Sequence, residues 1–395
     1  MAEDHRPVAT AAPVLRLSSF YFTYYAALGA FTPYWALHLQ SRGMGITAIS
    51  VMMGLWYATR VVAPAAWASL AAASPKPIRW LRIGSVLTVA SFACFLPGQP
   101  EWTLFAVMVA FCFFYNAVMP QFEAITLGHL GADAHRYGAI RVWGSIGFIL
   151  VTTSFGWLIE RHGAGPLPWA MLPLFALMAV SAFANRDAGH AGPRGPAGTG
   201  FWKIARRPAV AAFLVACFLE QLSFGPYYTF FSVYMDGLGY PTSTLGLMWT
   251  VGVVFEVAVF FTISAFFRRW DPSWLLLGSM ASAVLRWWAT ALWPENIPVM
   301  LLAQATHALS FAAFFASAMQ LLARHFPGAL NGHAQGLFYG FSSGAGGVLG
   351  ALIAGQLWPY GDGRVAFLAA GCFALAGCVI AWIWVVPRRG RSDGG

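Results

Sequence analysis

Residues 166–207 read PLPWAMLPLFALMAVSAFANRDAGHAGPRGPAGTGFWKIARR, an apolar run followed at once by a polar segment. The run Pro166–Phe183 has nearly the length that a helix needs to cross a hydrocarbon core of roughly 30 Å. The segment Asn185–Arg207 is rich in glycine and proline and carries five basic residues. Such a composition is typical of a flexible linker. The stretch therefore predicts a boundary between two membrane-embedded halves.

Further apolar runs of membrane-spanning length lie on both sides of this segment. Before it, helices are predicted over Leu17–Leu39, Ile46–Ala73, Ile78–Leu96, Trp102–Leu127, Tyr137–Ile159 and Pro166–Phe183. After it, they are predicted over Pro208–Tyr234, Ser243–Phe267, Trp274–Trp293, Ile297–Ala323, Ala334–Trp358 and Val365–Val386. The third and sixth runs are the weakest. The pattern predicts an all-α membrane protein with an N-terminal six-helix bundle (1–184), a cytoplasmic linker (185–207) and a C-terminal six-helix bundle (208–395).

The composition of the chain excludes a water-soluble fold. Of the 395 residues, 59% are hydrophobic and only 9% are charged, whereas about 25% are charged in an average soluble domain. So few charges cannot cover a surface in water, and the surroundings must therefore be a lipid bilayer. The net charge of +9 comes without a basic helix or an RNA-binding motif, so we expect no nucleic-acid partner.

The cysteines give no sign of a metal site or a disulfide framework. All five lie inside apolar runs without CxxC or CxxxH spacing, at Cys94, Cys112, Cys217, Cys372 and Cys378. Small apolar packing accounts for each, and we predict no metal and no cofactor. A membrane-embedded enzyme would need a metal or nucleophile–base constellation such as HExxH or GxSxG, and we expect neither. We predict that the chain is not an enzyme.

Lysine and arginine indicate the orientation of the spans. If both termini are cytoplasmic, seventeen of the 23 basic residues lie on that side. Arg42, Arg161 and Arg364 lie on the other side, and three more lie inside spans. This bias satisfies the positive-inside rule for twelve spans. No cleavage site follows a short apolar core at the N-terminus, so the first run is predicted to remain as a helix of a multi-pass inner-membrane protein.

Six ionisable residues lie inside the predicted spans, three of each sign: Arg60, Arg141, Arg286, Glu123, Glu220 and Glu256. Each would cost about 2.5–3.5 kcal/mol at the centre of a lipid-facing helix. We therefore expect them to face a water-accessible cavity and to pair there. The alternative is an inert ion-pair network that only fixes helix packing.

Two polar clusters are candidates for a functional site. Asn116, Gln121 and Glu123 end the fourth span, and Arg141 begins the fifth; a cytoplasmic gate is the alternative to a substrate site there. Glu256, Arg286 and His307 each lie about a dozen residues into spans eight, nine and ten, hence near mid-depth. A carboxylate, a permanent cation and an imidazole at one depth can exchange a proton as their pairing changes.

The sequence around these clusters resembles a known family. Pro120-Gln121-Phe122-Glu123 and Tyr137-Gly138-Ala139-Ile140-Arg141-Val142-Trp143-Gly144 resemble the helix four to five region of the lactose permease branch of the major facilitator superfamily. In that family a glutamate and an arginine at this spacing bind substrate. Nearly the whole chain is similar to the 3-phenylpropionate permeases of the same branch, including Tyr21-Phe22-Thr23-Tyr24, Arg141–Ser145, Val253–Val257 and Leu285-Arg286-Trp287.

The chain departs from the lactose permease pattern in its proton-carrying positions. Where the permease has a carboxylate one turn after the histidine, this sequence has Ser310. The permease's glutamate on helix eight corresponds to Val253, and Glu256 follows three residues later on the same helical face. The resemblance thus implies that Glu256 has taken over the protonation role.

Together these features predict a major facilitator transporter that imports a small organic acid with H⁺, such as a 3-phenylpropionate-like aromatic carboxylate. A proton-coupled sugar, oligosaccharide or nucleoside symporter, or an exporter of the same fold, stays open as an alternative. The predicted substrate-binding residues are Glu123, Arg141, Asn116, Gln121 and Tyr24. The predicted proton-coupling residues are Glu256, Arg286 and His307, with Glu220 as a competitor that is expected to lack a basic partner in the spans just after it. The expected partners are a small-molecule substrate, H⁺ and lipid, and a monomer is expected.

Overall fold

A computed structural model of the chain describes residues 13–96, 98–187, 200–328 and 330–387. Twelve long helices follow one another in this part of the chain, and it contains no β-strand. They are α1 (Val14–Ser41), α2 (Ile46–Ala72), α3 (Ile78–Ala93), α4 (Glu101–Leu130), α5 (Tyr137–His162), α6 (Leu167–Ala184), α7 (Pro208–Gly237), α8 (Thr242–Phe267), α9 (Pro272–Leu292), α10 (Ile297–His325), α11 (Leu330–Tyr360) and α12 (Asp362–Trp384). The predicted all-α, twelve-helix architecture is confirmed.

Ten of these helices are long and apolar enough to cross a membrane, and α1 and α3 complete the twelve. In lipid, a helix is favoured because it satisfies every backbone hydrogen bond within one segment. Helix α3 has only 16 residues, in line with the weakness of the third run. The sixth run forms α6 with 18 residues and qualifies as a span. Both α1 and α3 pack against α6 inside the N-terminal half.

Three helices are interrupted where the sequence predicts continuous spans. Helix α7 breaks at Phe224, between Pro208–Ser223 and Gly225–Gly237, because Pro226 cannot donate a backbone hydrogen bond. Helix α10 turns π-helical at Ala308–Ala313, directly after His307, and α11 does so at Phe338–Ala345. Such π-helical segments occur frequently at functional sites.

The two ends of the bundle differ in charge. We call the end where α1 begins and where α2 connects to α3 the basic face, because Lys76, Arg79 and Arg82 lie there. The guanidinium of Arg82 donates to the backbone oxygen of Asn185 at 2.9 Å, so the end of α6 lies at the same face. The other end is called the opposite face.

The two halves of the chain contact each other near the opposite face. Helix α5 packs along α8, and α2 packs along α11. Thr242 at the start of α8 donates to the backbone oxygen of Gly156 at 2.8 Å. The amide of Ser243 donates to Glu160 Oε2 at 3.1 Å. These contacts join the two halves near the opposite face.

Glycine permits the close approach of α2 and α11. A Cβ atom at Gly347 would lie 2.2 Å from the ring of Tyr57, and one at Gly355 would lie 2.4 Å from Ser50. No side chain larger than hydrogen fits there without a shift of the helices. The glycine-rich composition of α11 is therefore explained by packing between the halves.

The predicted linker, 185–207, is ordered at both ends. Asp187 Oδ1 accepts from the backbone amide of Ile78 at 2.7 Å, next to the N-terminal half. At the other end, Phe201–Ala205 forms a short helix, and the ring of Phe201 lies 5.2 Å from that of Phe326 at the end of α10. Those last residues pack on the C-terminal half and are not a flexible connection. Residues 188–199 of the linker, and 1–12 and 388–395 of the two bundles, lie outside the described residues.

Candidate functional site

In the N-terminal half, α4 and α5 bring the predicted pair Glu123 and Arg141 close to a group of tyrosines. The guanidinium carbon of Arg141 lies 3.9 Å from the ring centre of Tyr25 and 5.7 Å from that of Tyr21. The hydroxyl of Tyr137 donates to Glu123 Oε1 at 3.3 Å. Glu123 and Arg141 interact electrostatically, without a hydrogen bond or a contact within 4 Å between these two described residues. Both side chains are only partly buried, so each keeps hydrogen-bonding capacity for a ligand.

The other predicted binding residues of this half lie within its interior. The amide of Asn116 donates to the backbone oxygen of Trp56 and to Thr59 Oγ1, both at 3.0 Å, and so joins α4 to α2. The amide of Gln121 donates to the backbone oxygen of Pro77 at 2.7 Å, beside the basic face. In the structure, both amides thus donate hydrogen bonds to backbone oxygens.

Tyr24 is also buried in the N-terminal half. Its ring stacks on that of Tyr115 with ring centres 4.3 Å apart, and only 5% of its surface is exposed. The tyrosine beneath Arg141 is its neighbour Tyr25, which the sequence did not single out. Adjacent residues of a helix point about 100° apart, and the apolar pattern of α1 does not distinguish between them.

In the C-terminal half, the structure brings together Glu256, Arg286 and His307 from three consecutive helices. Arg286 Nη1 lies 3.0 Å from His307 Nδ1, and His307 Nε2 lies 3.8 Å from Glu256 Oε2. Arg286 and His307 are almost fully buried, with 1% and 5% of their surfaces exposed. The Glu256 side chain is 20% exposed. The three residues form a row that runs from the buried interior to an accessible carboxylate.

The arginine fixes the tautomer of the histidine. A guanidinium can only donate hydrogen bonds, so His307 Nδ1 accepts. The ring proton of a neutral His307 is then carried by Nε2, which is the nitrogen that faces Glu256. A distance of 3.8 Å is too long for a hydrogen bond, and a movement of under 1 Å, or one water, would complete it. In this tautomer the Nε2–H of His307 can donate to an ionised Glu256 carboxylate, but the imidazole has no free nitrogen to take a proton from Glu256.

Gln304 supports this row and was missed by the sequence analysis. Its Oε1 accepts from Arg286 Nη2 at 3.2 Å and from the hydroxyl of Tyr227 at 2.9 Å. The guanidinium of Arg286 also lies over the rings of Tyr227 and Trp287, at 4.1 and 4.4 Å from their centres. The sequence offered one signal for Gln304: it is an amide in an apolar helix, three residues before His307. Residues three apart share a helical face.

Glu220 lies deeper in the same half. It is fully buried, and neither carboxyl oxygen has a hydrogen-bond partner. Arg286 of α9 interacts with it electrostatically, which corrects the prediction that it has no basic neighbour in the following spans. Burying an isolated carboxylate is costly, so this position favours the protonated carboxyl.

Arg141 and Glu256 connect the two groups across the halves. Their charges interact, although the residues belong to different bundles. Glu123, Arg141 and Glu256 are each partly exposed. We call the space that these residues and Arg60 line the central cavity.

The expectation that no GxSxG string occurs is wrong, because α11 contains one. Gly340-Phe341-Ser342-Ser343-Gly344 matches GxSxG, the nucleophile elbow of hydrolases. That motif requires a strand-to-helix turn that exposes the serine. Here the string lies within the π-helical segment of α11, and Ser342 is fully buried. The structure gives it no catalytic geometry.

Comparison with known proteins settles the family. A family profile described as "MFS_1 like family" matches residues 14–369. The chain belongs to the MFS_1 like family. The chain is 25% identical over 307 residues to the "Probable 3-phenylpropionic acid transporter" of Escherichia coli (strain K12). The aligned region covers 77% of the chain and 80% of the relative. It is 26% identical over 390 residues to the "Maltose permease" of Geobacillus stearothermophilus, covering 95% of each.

Solved structures agree on the fold of this MFS_1 like protein. The nucleoside transporter NupG (D323A mutant) superposes with a TM-score of 0.81 and 16% identity, covering 94% of this chain and 98% of that one. The POT family transporter PepTSo gives 0.76 and 10% identity, with 94% and 97% covered. At such identities the likeness shows the fold alone. The chain is a multi-pass membrane transporter of the major facilitator type and not an enzyme.

Proposed function

We propose that this transporter imports a small organic acid together with a proton across the bacterial inner membrane. The observation that carries the proposal is the row of groups from Arg141 through Glu256 and His307 to Arg286. The row supports a role for Glu256 as the proton-binding carboxylate between two halves whose relative movement defines alternating access.

The proposed coupling follows from the two charges at the cavity. When Glu256 is ionised, its attraction to Arg141 holds the halves together around the cavity. When Glu256 binds a proton, that attraction is lost, and Arg141 is free to donate hydrogen bonds to a substrate. In the tautomer set by Arg286, the Nε2–H of His307 can donate to the ionised Glu256, and the coupled proton reaches and leaves this carboxylate from the cavity. Substrate and proton would then cross together, because each favours the same arrangement of the halves.

Both termini are proposed to be cytoplasmic. Positive charge concentrates at the basic face, including Lys76, Arg79 and Arg82, and the positive-inside rule places such a face in the cytoplasm. The contacts that join the two halves near the opposite face are in keeping with an inward-open state. A single chain contains every group named here, which is in keeping with a monomer.

An aromatic acid is the proposed substrate class. The rings of Tyr21 and Tyr25 adjoin the Arg141 guanidinium, and Tyr228 of the other half interacts electrostatically with Glu256. An aryl ring can pack on such side chains while its carboxylate meets a guanidinium. The relative described as a 3-phenylpropionic acid transporter supports the same class.

A sugar is the second candidate, and the match to a maltose permease over 95% of both chains favours it. Glu123 could then share Arg141 with the ligand and accept hydrogen bonds from sugar hydroxyls. Competition for the purified protein separates the two. We expect 3-phenylpropionate and similar aryl-alkanoates to displace a bound probe, and maltose and galactosides to leave it bound. Displacement by the sugars alone would refute the aromatic-acid proposal.

A further inference from the structure

Arg60 is a cation in the middle of a span, and the proposed mechanism assigns it no role. It lies near the centre of α2, exposed, with its guanidinium carbon 5.9 Å from the ring centre of Trp56. Among the described residues it forms no hydrogen bond and no ion pair within 4 Å. A charge at this depth costs about 2.5–3.5 kcal/mol if it faces lipid, so its surroundings decide its role.

Those surroundings are the central cavity. Arg60 interacts electrostatically with Tyr25, the residue beneath Arg141. It also interacts with Tyr339 of α11, and the same tyrosine is reached by Glu123. Tyr339 belongs to the C-terminal half, and Val61 next to Arg60 packs against Gly344 of the same helix, so Arg60 lies beside the junction of α2 and α11.

The helical turn that carries Arg60 is held in place. Its neighbours Trp56 and Thr59 both accept hydrogen bonds from the buried amide of Asn116. Next to it, Val61 packs against Gly344 of α11 so closely that a Cβ there would lie 2.3 Å away. The guanidinium is thus presented from a rigid backbone, as a binding residue requires.

The carboxylates of the spans are already engaged with other arginines. Glu123 and Glu256 interact with Arg141, and Glu220 interacts with Arg286. Arg141 therefore shares two carboxylates, whereas the electrostatic contacts of Arg60 are with tyrosines. The six intramembrane charges balance in number, yet Arg60 is the cation without a carboxylate beside it.

We propose that Arg60 binds the carboxylate of the transported acid and so determines that the substrate is an anion. The inference rests on the proposed function, since it presupposes an acidic substrate. When Glu256 carries a proton, Arg60 and Arg141 together face Glu123 and the substrate carboxylate, and the charges balance. Arg141 then contributes hydrogen bonds to any ligand, while Arg60 contributes the counter-charge. A sugar has no carboxylate for Arg60 to bind.

The test compares a charged ligand with its uncharged analogue. Binding of 3-phenylpropionate and of 3-phenylpropan-1-ol is measured by calorimetry on the purified full chain, with Arg60→Gln, Arg60→Lys and the parent. Loss of one charge-assisted contact should raise the Kd of the acid in Arg60→Gln about tenfold or more. The Kd of the alcohol should stay within about twofold of the parent value, because no counter-charge is involved. Arg60→Lys should restore part of the affinity for the acid.

Arg161→Gln is the matched control, because Arg161 also lies over a tryptophan, 3.9 Å from the ring centre of Trp157, at the end of α5 near the opposite face. It should change neither Kd. Equal binding of the acid by Arg60→Gln and the parent would overturn the inference, and so would parallel losses for acid and alcohol. If the parent binds the alcohol or a sugar but not the acid, the proposed function itself fails.

Discussion

The charged groups of the two halves differ in how firmly they are held. In the N-terminal half, Arg141 stacks on Tyr25 and has no hydrogen-bond partner among the described residues, while Glu123 accepts one bond of 3.3 Å. In the C-terminal half, Arg286 donates to both His307 and Gln304 and is almost completely buried.

This difference indicates a division of labour. Unused donors and acceptors beside a cavity are what a ligand needs, because it can then satisfy them on binding. A buried, fully oriented row of side chains is suited to a proton, whose transfer depends on small changes of distance. In the proposed function, the N-terminal half (the binding half) binds substrate and the C-terminal half (the coupling half) couples it to the proton. Arg141 and Glu256, whose charges interact, would link the two tasks.

The largest effect is expected from Glu256→Gln, which removes the proposed proton-binding group of the C-terminal half and leaves the N-terminal half unchanged. The amide imitates a permanently protonated carboxyl, so the variant should bind substrate and exchange it across the membrane. It should fail to accumulate substrate, because no proton is bound and released. Uptake by vesicles with an imposed pH gradient measures this, and the ratio of internal to external substrate should not exceed that found without a gradient.

Glu101→Gln is a suitable control for that experiment. Glu101 is an exposed carboxylate at the start of α4, distant in sequence from both charged groups, and its loss should leave accumulation intact. If Glu256→Gln accumulates substrate as well as the parent, Glu256 does not carry the coupled proton, and Glu220 becomes the next carboxyl to examine.

The sequence predicted this architecture and the meeting of Glu256, Arg286 and His307 for a simple reason. Spans of known length place residues at known depth, and charges in lipid must find each other. It did not predict that Asn116 and Gln121 would bond to backbone oxygens. The partner of a buried amide depends on which helix packs beside it, and depth alone does not show that.

The same limit applies to the coupling half. Gln304 is an acceptor for two groups from α9 and α7, and such a junction requires three helices to be positioned at once. The π-helical segment after His307 was also unforeseen, since its residues Ala308–Ala313 have no composition that separates them from an ordinary span. The depth of a residue in the membrane follows from the local sequence, whereas the neighbour that a helix face contacts does not.

A second, smaller effect is expected from Arg141→Lys, which weakens the binding half. Lysine cannot reproduce a planar guanidinium that stacks on Tyr25 and donates from two nitrogens. Ligand affinity should fall about tenfold or more, for acids and uncharged analogues alike. Calorimetry on purified protein measures this, with membrane insertion unchanged.

Arg136→Lys serves as the control, because Arg136 lies five residues earlier and contacts the exposed Asp133 at 4.0 Å. Its replacement should leave affinity unaltered. If Arg141→Lys binds ligand as tightly as the parent, the substrate site lies elsewhere. The N-terminal half would then not be the half that binds substrate through Arg141.

The smallest effect is expected from Gln304→Leu, which tests whether the hydrogen bonds accepted by Gln304 help to hold the C-terminal half rigid. Leucine fills a similar volume but offers no acceptor to Arg286 Nη2 or to the Tyr227 hydroxyl. Leaving such buried donors unpaired costs about 1–3 kcal/mol, so the apparent unfolding temperature in detergent should fall. Gln221→Leu is the matched control: the amide nitrogens of Gln221 and Gln304 both lack a hydrogen-bond partner, but of the two side chains only that of Gln304 accepts hydrogen bonds from described residues. The loss of Gln221 should therefore cost little. Equal unfolding temperatures for the two variants would mean that Gln304 does not hold the arginine, and that the order of this half has its origin in aromatic packing around Tyr227 and Trp287.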